Sequence, residues 1–169
     1  LAKALYGSAF SNELSKMGAD ISYSAAEFSP QYPNDAFLCA LSNGSKLFHN
    51  ESFCDPNIKS CHGEKLIHVN QGYAKCSVCL INETAAISSD VGLIRAMRNQ
   101  GMDVLEISPG GIELTGFAHG FIWGAAFKIS ADELAFTGNI NTHTIKAEIL
   151  SFLELHEIKP IFLTNRPIF

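Results

Sequence analysis

Apolar and polar positions along this chain recur in one order: a short apolar run, a turn, a second short run, a helix-spaced stripe, and a third run. Residues 36–41 open the first full instance as a predicted strand. Asn43-Gly44 predicts a hairpin turn, since both residues tolerate positive φ, and residues 46–49 are the return strand. Asp55-Pro56 supplies an N-cap and an N1 proline, so a helix starts there. Gly63 ends that helix, and residues 65–69 are a third strand. The grammar repeats with strands at 75–81 and 84–88, joined by a turn at Asn82-Glu83. A helix capped by Ser89 or Asp90 carries Leu93, Ile94 and Met97 on one face, Gly101 ends it, and residues 103–107 close the unit. The third instance follows a loop at 108–118. Strands are expected at 121–129 and 133–137 with a turn at 130–132. A longer helix then opens at Thr142 or Thr144, with Ile145, Ile149, Phe152 and Leu153 as its buried stripe, and residues 159–163 close the unit.

Ahead of these units, Phe10, Leu14 and Met17 have helical spacing. Gly18 ends that helix, residues 21–23 read as a short strand, and residues 24–34 are a loop. This opening resembles the tail of a fourth copy, and residues 166–169 the head of another. A period of about 40 residues signals an architecture in which no unit buries its own apolar face alone. The expected fold class is therefore α/β with repeated ββαβ units at about 35–70, 74–108 and 119–164, in a single domain over 1–169 that is expected to be truncated at both ends.

Composition narrows the functional classes. Hydrophobic residues are 47% and charged residues 17%, a packed globular balance. The net charge is -5 with no basic run, which disfavours nucleic acid as a partner. No apolar run is long enough for a membrane span, and no signal peptide is visible. Five cysteines scattered through apolar segments suit a reducing cytoplasm better than a disulfide framework. Three Asn-x-Ser/Thr triplets, at Asn43, Asn50 and Asn82, then read as chance. No cofactor is expected, and the oligomeric state is left open.

The stretch Gln71-Gly72-Tyr73-Ala74-Lys75-Cys76-Ser77 draws attention because a cysteine stands where turn becomes strand. A Cys-x2-Cys pair, Cys76 and Cys79, has a zinc-ligand spacing, with Cys54 and Cys61-His62 upstream. On a regular strand, however, residues three apart face opposite sides, so no metal is expected. A buried structural thiol is the competing reading of Cys76. Among the histidines, His49, His62, His68 and His156 read as solvated or capping residues at element edges. His119 and His143 stand at element starts and have a pKa suited to a general base. Trp123, with Phe121, Phe127 and Phe136, reads chiefly as core between units.

The chain resembles the pentein superfamily, which holds the guanidino-group-modifying enzymes and non-catalytic relatives, and is most similar to uncharacterised bacterial proteins of that fold. The resemblance rests on the unit order and on Gln71 to Ser77, Gly120-Phe121-Ile122-Trp123-Gly124-Ala125-Ala126 and Phe136-Thr137-Gly138-Asn139-Ile140-Asn141-Thr142-His143. It implies a propeller-like ring about a pseudo-fivefold axis, here incomplete. It further implies Cys76 as nucleophile, His119 or His143 as base, and Gly72, Tyr73, Trp123 and Asn141 as substrate-binding positions. The activity implied is a hydrolase or amidinotransferase acting on a guanidine- or amidine-like small molecule. The segment at 122–126, where that family carries paired carboxylates, holds none here, and no His-x-Asp motif occurs. The alternative is a non-catalytic pentein that binds a small molecule, a protein or the ribosome.

Overall fold

The computed structural model describes residues 1–61, 65–142 and 146–169, apart from the side chains of Cys61 and Thr142. The chain divides into two compact units, Leu1–Tyr73 and Ala74–Phe169.

The first unit opens with α1 (Ala9–Lys16), capped by Ser8, whose hydroxyl accepts from the Ser11 N–H. Residues 21–23, expected as a strand, form no regular one. A three-stranded sheet follows, with β1 (Leu41–Ser42) antiparallel to β2 (Lys46–His49) and β3 (Lys65–His68) parallel to β2. Between β2 and β3 lies α2 (Pro56–Cys61). Asp55 is buried ahead of it and gathers backbone N–H groups from Ala25, Ala26 and Asn57 at 2.9–3.0 Å. One carboxylate therefore caps a helix and pins a loop that has no ladder of its own.

The second unit carries two further copies. In one, β4 (Val78–Leu80) is antiparallel to β5 (Ala85–Ser88), and β6 (Asp103–Glu106) is parallel to β5. In the other, β7 (Ala126–Lys128), β8 (Glu133–Phe136) and β9 (Lys159–Phe162) repeat the pattern. The crossovers are α4 (Val91–Asn99), capped by Asp90, and α5 (Lys146–Leu155). The residues expected to open the α5 helix lie outside those described. Apolar residues from both copies, among them Ile81, Ile87, Leu134, Phe136, Ile149 and Leu153, form one core.

The structure corrects one recurring expectation. The first strand of each unit is shorter than the apolar run suggests, because turns precede it, helical ones in the second and third units. Residues 33–38 form turns before β1. A single turn α3 (Ala74–Ser77) precedes β4, and a 3₁₀ turn (Ile122–Ala125) precedes β7. Alanine at 36, 74 and 125 favours a helical turn over a strand. Each turn is tied to the end of the unit's second strand. His49 Nε2 meets the Ala36 carbonyl at 3.1 Å, Ser88 Oγ donates to the Ser77 carbonyl at 2.8 Å, and the Thr137 N–H donates to the Ala125 carbonyl at 3.0 Å.

Gly138 shows a second device. A Cβ there would collide with the Pro167 carbonyl oxygen. Only glycine lets this backbone approach residues 166–167 closely enough for the Asn139 N–H to donate to the Arg166 carbonyl at 2.6 Å.

Candidate functional site

Cys76 sits on α3 and is half-buried, whereas Cys79 on β4 is buried. The two thiols do not share one strand as expected: Cys76 stands on a helical turn and Cys79 on the strand that follows it. Burial pushes the Cys79 thiol up to about 12, against the opposing charge of Lys128, so this sulfur stays protonated and unreactive. The α3 turn packs on the Ile122–Ala125 turn, which brings Cys76 and Trp123 onto neighbouring elements. Trp123 is half-buried against the core.

His119 is exposed, with Nδ1 3.2 Å from the Gly120 carbonyl. Asn141 is exposed, and its backbone N–H donates to Asn139 Oδ1 at 2.9 Å. His143 lies outside the described residues, as does His62. Among the described residues, no group of three His, Cys, Asp or Glu side chains is arranged to hold a metal.

His49 departs from its expected solvated role. It is fully buried at the end of β2. The Asn50 N–H donates to its Nδ1 at 2.6 Å, so Nε2 carries the proton and donates to the Ala36 carbonyl. Burial lowers its pKa, with the positive charge of Lys59 acting in the same direction and the two backbone bonds opposing. It is a neutral core histidine. His156 is half-buried and pairs with Asp103 at 3.0 Å.

Gly72 and Tyr73 belong to the first unit, where they meet a group that sequence reasoning missed. The Tyr73 hydroxyl donates to Asp35 Oδ2. That bond, with burial and the Asp35 charge behind it, pushes the Tyr73 phenol up to about 12. The other carboxylate oxygen, Asp35 Oδ1, is buried with no hydrogen-bond partner among the described residues. Tyr32 packs against both Phe53, with ring centroids 5.5 Å apart, and Tyr73, at 6.0 Å. Gly72 lies beneath them, and a Cβ there would stand 2.7 Å from Tyr32 Cε2. Cys39 is half-buried one turn beyond Asp35, its N–H donating to the Ala36 carbonyl at 2.8 Å. The available signal was a lone carboxylate at the head of an apolar run, just after Pro33-Asn34. It resembled ordinary turn punctuation.

Chemically, this arrangement is an acceptor-only fork with one oxygen held by a phenol and the other lacking a donor among the described residues, with Tyr32 packed on Tyr73 and Phe53. Among the described residues, three small sheets, each a hairpin plus a parallel strand after a helix, define a mixed α/β protein, and a solved structure shares that fold. C. jejuni agmatine deiminase matches with a TM-score of 0.55 at 14% identity, covering 95% of this chain and 58% of its own. The chain thus spans less than two thirds of that enzyme's length. A family model matches residues 2–169, and the chain belongs to that family, described as a family of unknown function (DUF6873). No curated protein matches the sequence. Among the described residues, no helix is long and apolar enough to cross a membrane.

Proposed function

We propose that this protein is a pentein-type protein that takes a small guanidine- or amidine-like cation, with Asp35 as the carboxylate that receives it. The observation that supports this reading is the buried Asp35 Oδ1, which has no hydrogen-bond partner among the described residues, beside an Oδ2 already held by Tyr73. A buried carboxylate oxygen without a donor costs free energy. Planar N–H donors of a guanidinium or amidinium would satisfy it in the geometry that carboxylates prefer. Tyr32, Phe53 and Tyr73 add aromatic surface suited to a delocalised cation. In this reading the three ββαβ units are part of a pseudo-fivefold ring.

Titration calorimetry with agmatine and with guanidinium tests it. Asp35→Asn should weaken binding by roughly tenfold or more, the usual worth of a hydrogen bond to a charged group. Binding unaffected by Asp35→Asn, or none at all, would sink the reading.

Cys76 belongs to the second unit and bears on catalysis separately from Asp35. Its half-exposed position keeps the cysteine-dependent hydrolase or transferase reading open. The carboxylate-free turn packed against it favours the non-catalytic alternative. Release of ammonia or transfer of an amidino group that Cys76→Ala abolishes would support an enzyme, a test made on the second unit's thiol by itself. A wild-type protein that binds without turnover is a binding module.

A further inference from the structure

The carboxylate at the centre of the first unit is closed off. Asp35 Oδ1 is buried with no hydrogen-bond partner among the described residues, and Oδ2 is held by the Tyr73 hydroxyl. A cation can meet Oδ1 only after a neighbouring group moves. The neighbour to look for is one that can leave without breaking a hydrogen bond.

Tyr32 meets that condition. Its ring packs on Tyr73, the partner of Asp35, with centroids 6.0 Å apart, and edge-on against Phe53 at 5.5 Å. It is nonetheless 58% exposed. Among the described residues its side chain makes ring contacts and no hydrogen bond. The segment that carries it is tied to itself. The Gln31 N–H donates to Ser29 Oγ at 3.3 Å, the Asn34 N–H to the Gln31 carbonyl at 2.8 Å and the Ala36 N–H to the Pro33 carbonyl at 3.0 Å. The ring can therefore swing toward solvent while these bonds stay in place.

Gly72 is the seat of the ring. Its φ lies outside the left-handed region, so the backbone does not require glycine there. What the position requires is the lack of a side chain. A Cβ would stand 2.7 Å from Tyr32 Cε2, 3.0 Å from the Tyr32 hydroxyl oxygen and 3.2 Å from Phe53 Cζ. The two nearest atoms are the far end of a side chain that has somewhere else to go. Glycine at 72 thus serves the inward position of Tyr32.

We propose that Tyr32 is a gate over Asp35, seated on Gly72 when closed, and that a cation reaches Oδ1 only when the ring swings away from Phe53 and Tyr73. The proposal rests on Asp35 as the receiving carboxylate. Opening breaks two ring contacts and no hydrogen bond, and it gives a buried acceptor access to donors.

Carboxylate coupling tests the gate without any ligand. A water-soluble carbodiimide activates accessible carboxylates, glycinamide traps them as amides, and peptide mass spectrometry reads each site. Gly72→Ala and Tyr32→Ala should each speed coupling at Asp35 by about tenfold or more, because a sealed group reacts only through its open fraction. Tyr32→Phe keeps the ring and should couple as slowly as the wild type. Asp55 is buried in the same unit and holds the N–H groups of Ala25, Ala26 and Asn57, so it should keep its rate in every variant. Unchanged coupling at Asp35 in both opening variants overturns the proposal. So does coupling at Asp55 that rises in step with Asp35, which would mean general loosening, or a Tyr32→Phe chain as fast as Tyr32→Ala. Stopped-flow mixing with agmatine separates the gate from the ligand. The wild-type association rate should level off as agmatine is raised, while that of Gly72→Ala climbs linearly; a linear wild-type rate overturns the gate. A chain that takes up no agmatine ends the cation reading of Asp35, and the coupling rates still decide whether Tyr32 seals it.

Discussion

Tyr73 and His49 are two side chains whose proton affinities the fold moves in opposite senses. Tyr73 gains a bond to Asp35 in its protonated form, which lifts its pKa to about 12. The stabilisation it contributes is fully present below the ordinary tyrosine value of about 10 and is lost as pH rises through about 12. Spectrophotometric titration should show one of the four tyrosines ionising last, and Asp35→Asn should return it to about 10. His49 is buried neutral, with a lowered pKa. Below the ordinary value of 6.5 the unfolded chain takes up a proton that the folded one refuses, so stability falls as pH drops. The His49 ring resonances should stay in their neutral form through pH 6.5, while the denaturant midpoint of the first unit declines with acid. Neither role was legible in the sequence. His49 lies in a strand whose burial depends on the pairing of distant segments, and Asp35 differs from any turn aspartate only through Tyr73, 38 residues on.

At the scale of elements, the helices and hairpins were legible because their signals are local. Asn43-Gly44, Asp55-Pro56, Asp90 and Gly101 each act within a few residues of themselves, and the structure uses all four. The turns before β1 and the helical turns before β4 and β7 were not legible. Apolar runs of four to eight residues suit a strand or a helical turn equally, and here tethers from the second strand decide. One cap also lacks the glycine that marks the others. Glu157 is left-handed at φ 57° and occupies the position that Gly18 and Gly101 fill. A side chain costs about 1 kcal/mol in that conformation. Glu157→Gly should therefore raise the unfolding free energy by about 0.5–1 kcal/mol, seen as a higher denaturant midpoint at unchanged slope.

At the scale of the molecule, the sequence period revealed the repeats but not how far neighbours depend on one another. In a stack that holds together only through weak junctions, each repeat unfolds on its own. The second unit is built differently. Ile81 and Ile87 of one repeat share a core with Leu134, Phe136 and Ile149 of the next. Lys128 on β7 donates to the Ile81 carbonyl at 3.1 Å as well as to that of Ala131 within its own hairpin. His156 at the end of α5 reaches back to Asp103 at the start of β6. Damage to one repeat should therefore be felt in the other. Trp123, the only tryptophan, stands in the later repeat and reports on it alone. Ile87 is fully buried in the earlier one, and Ile87→Ala should remove about 2–5 kcal/mol. Trp123 fluorescence should then show a single transition shifted by that amount, coincident with far-ultraviolet circular dichroism. An unmoved tryptophan transition beside a weakened circular dichroism signal would mean that the two repeats fold independently despite their common core.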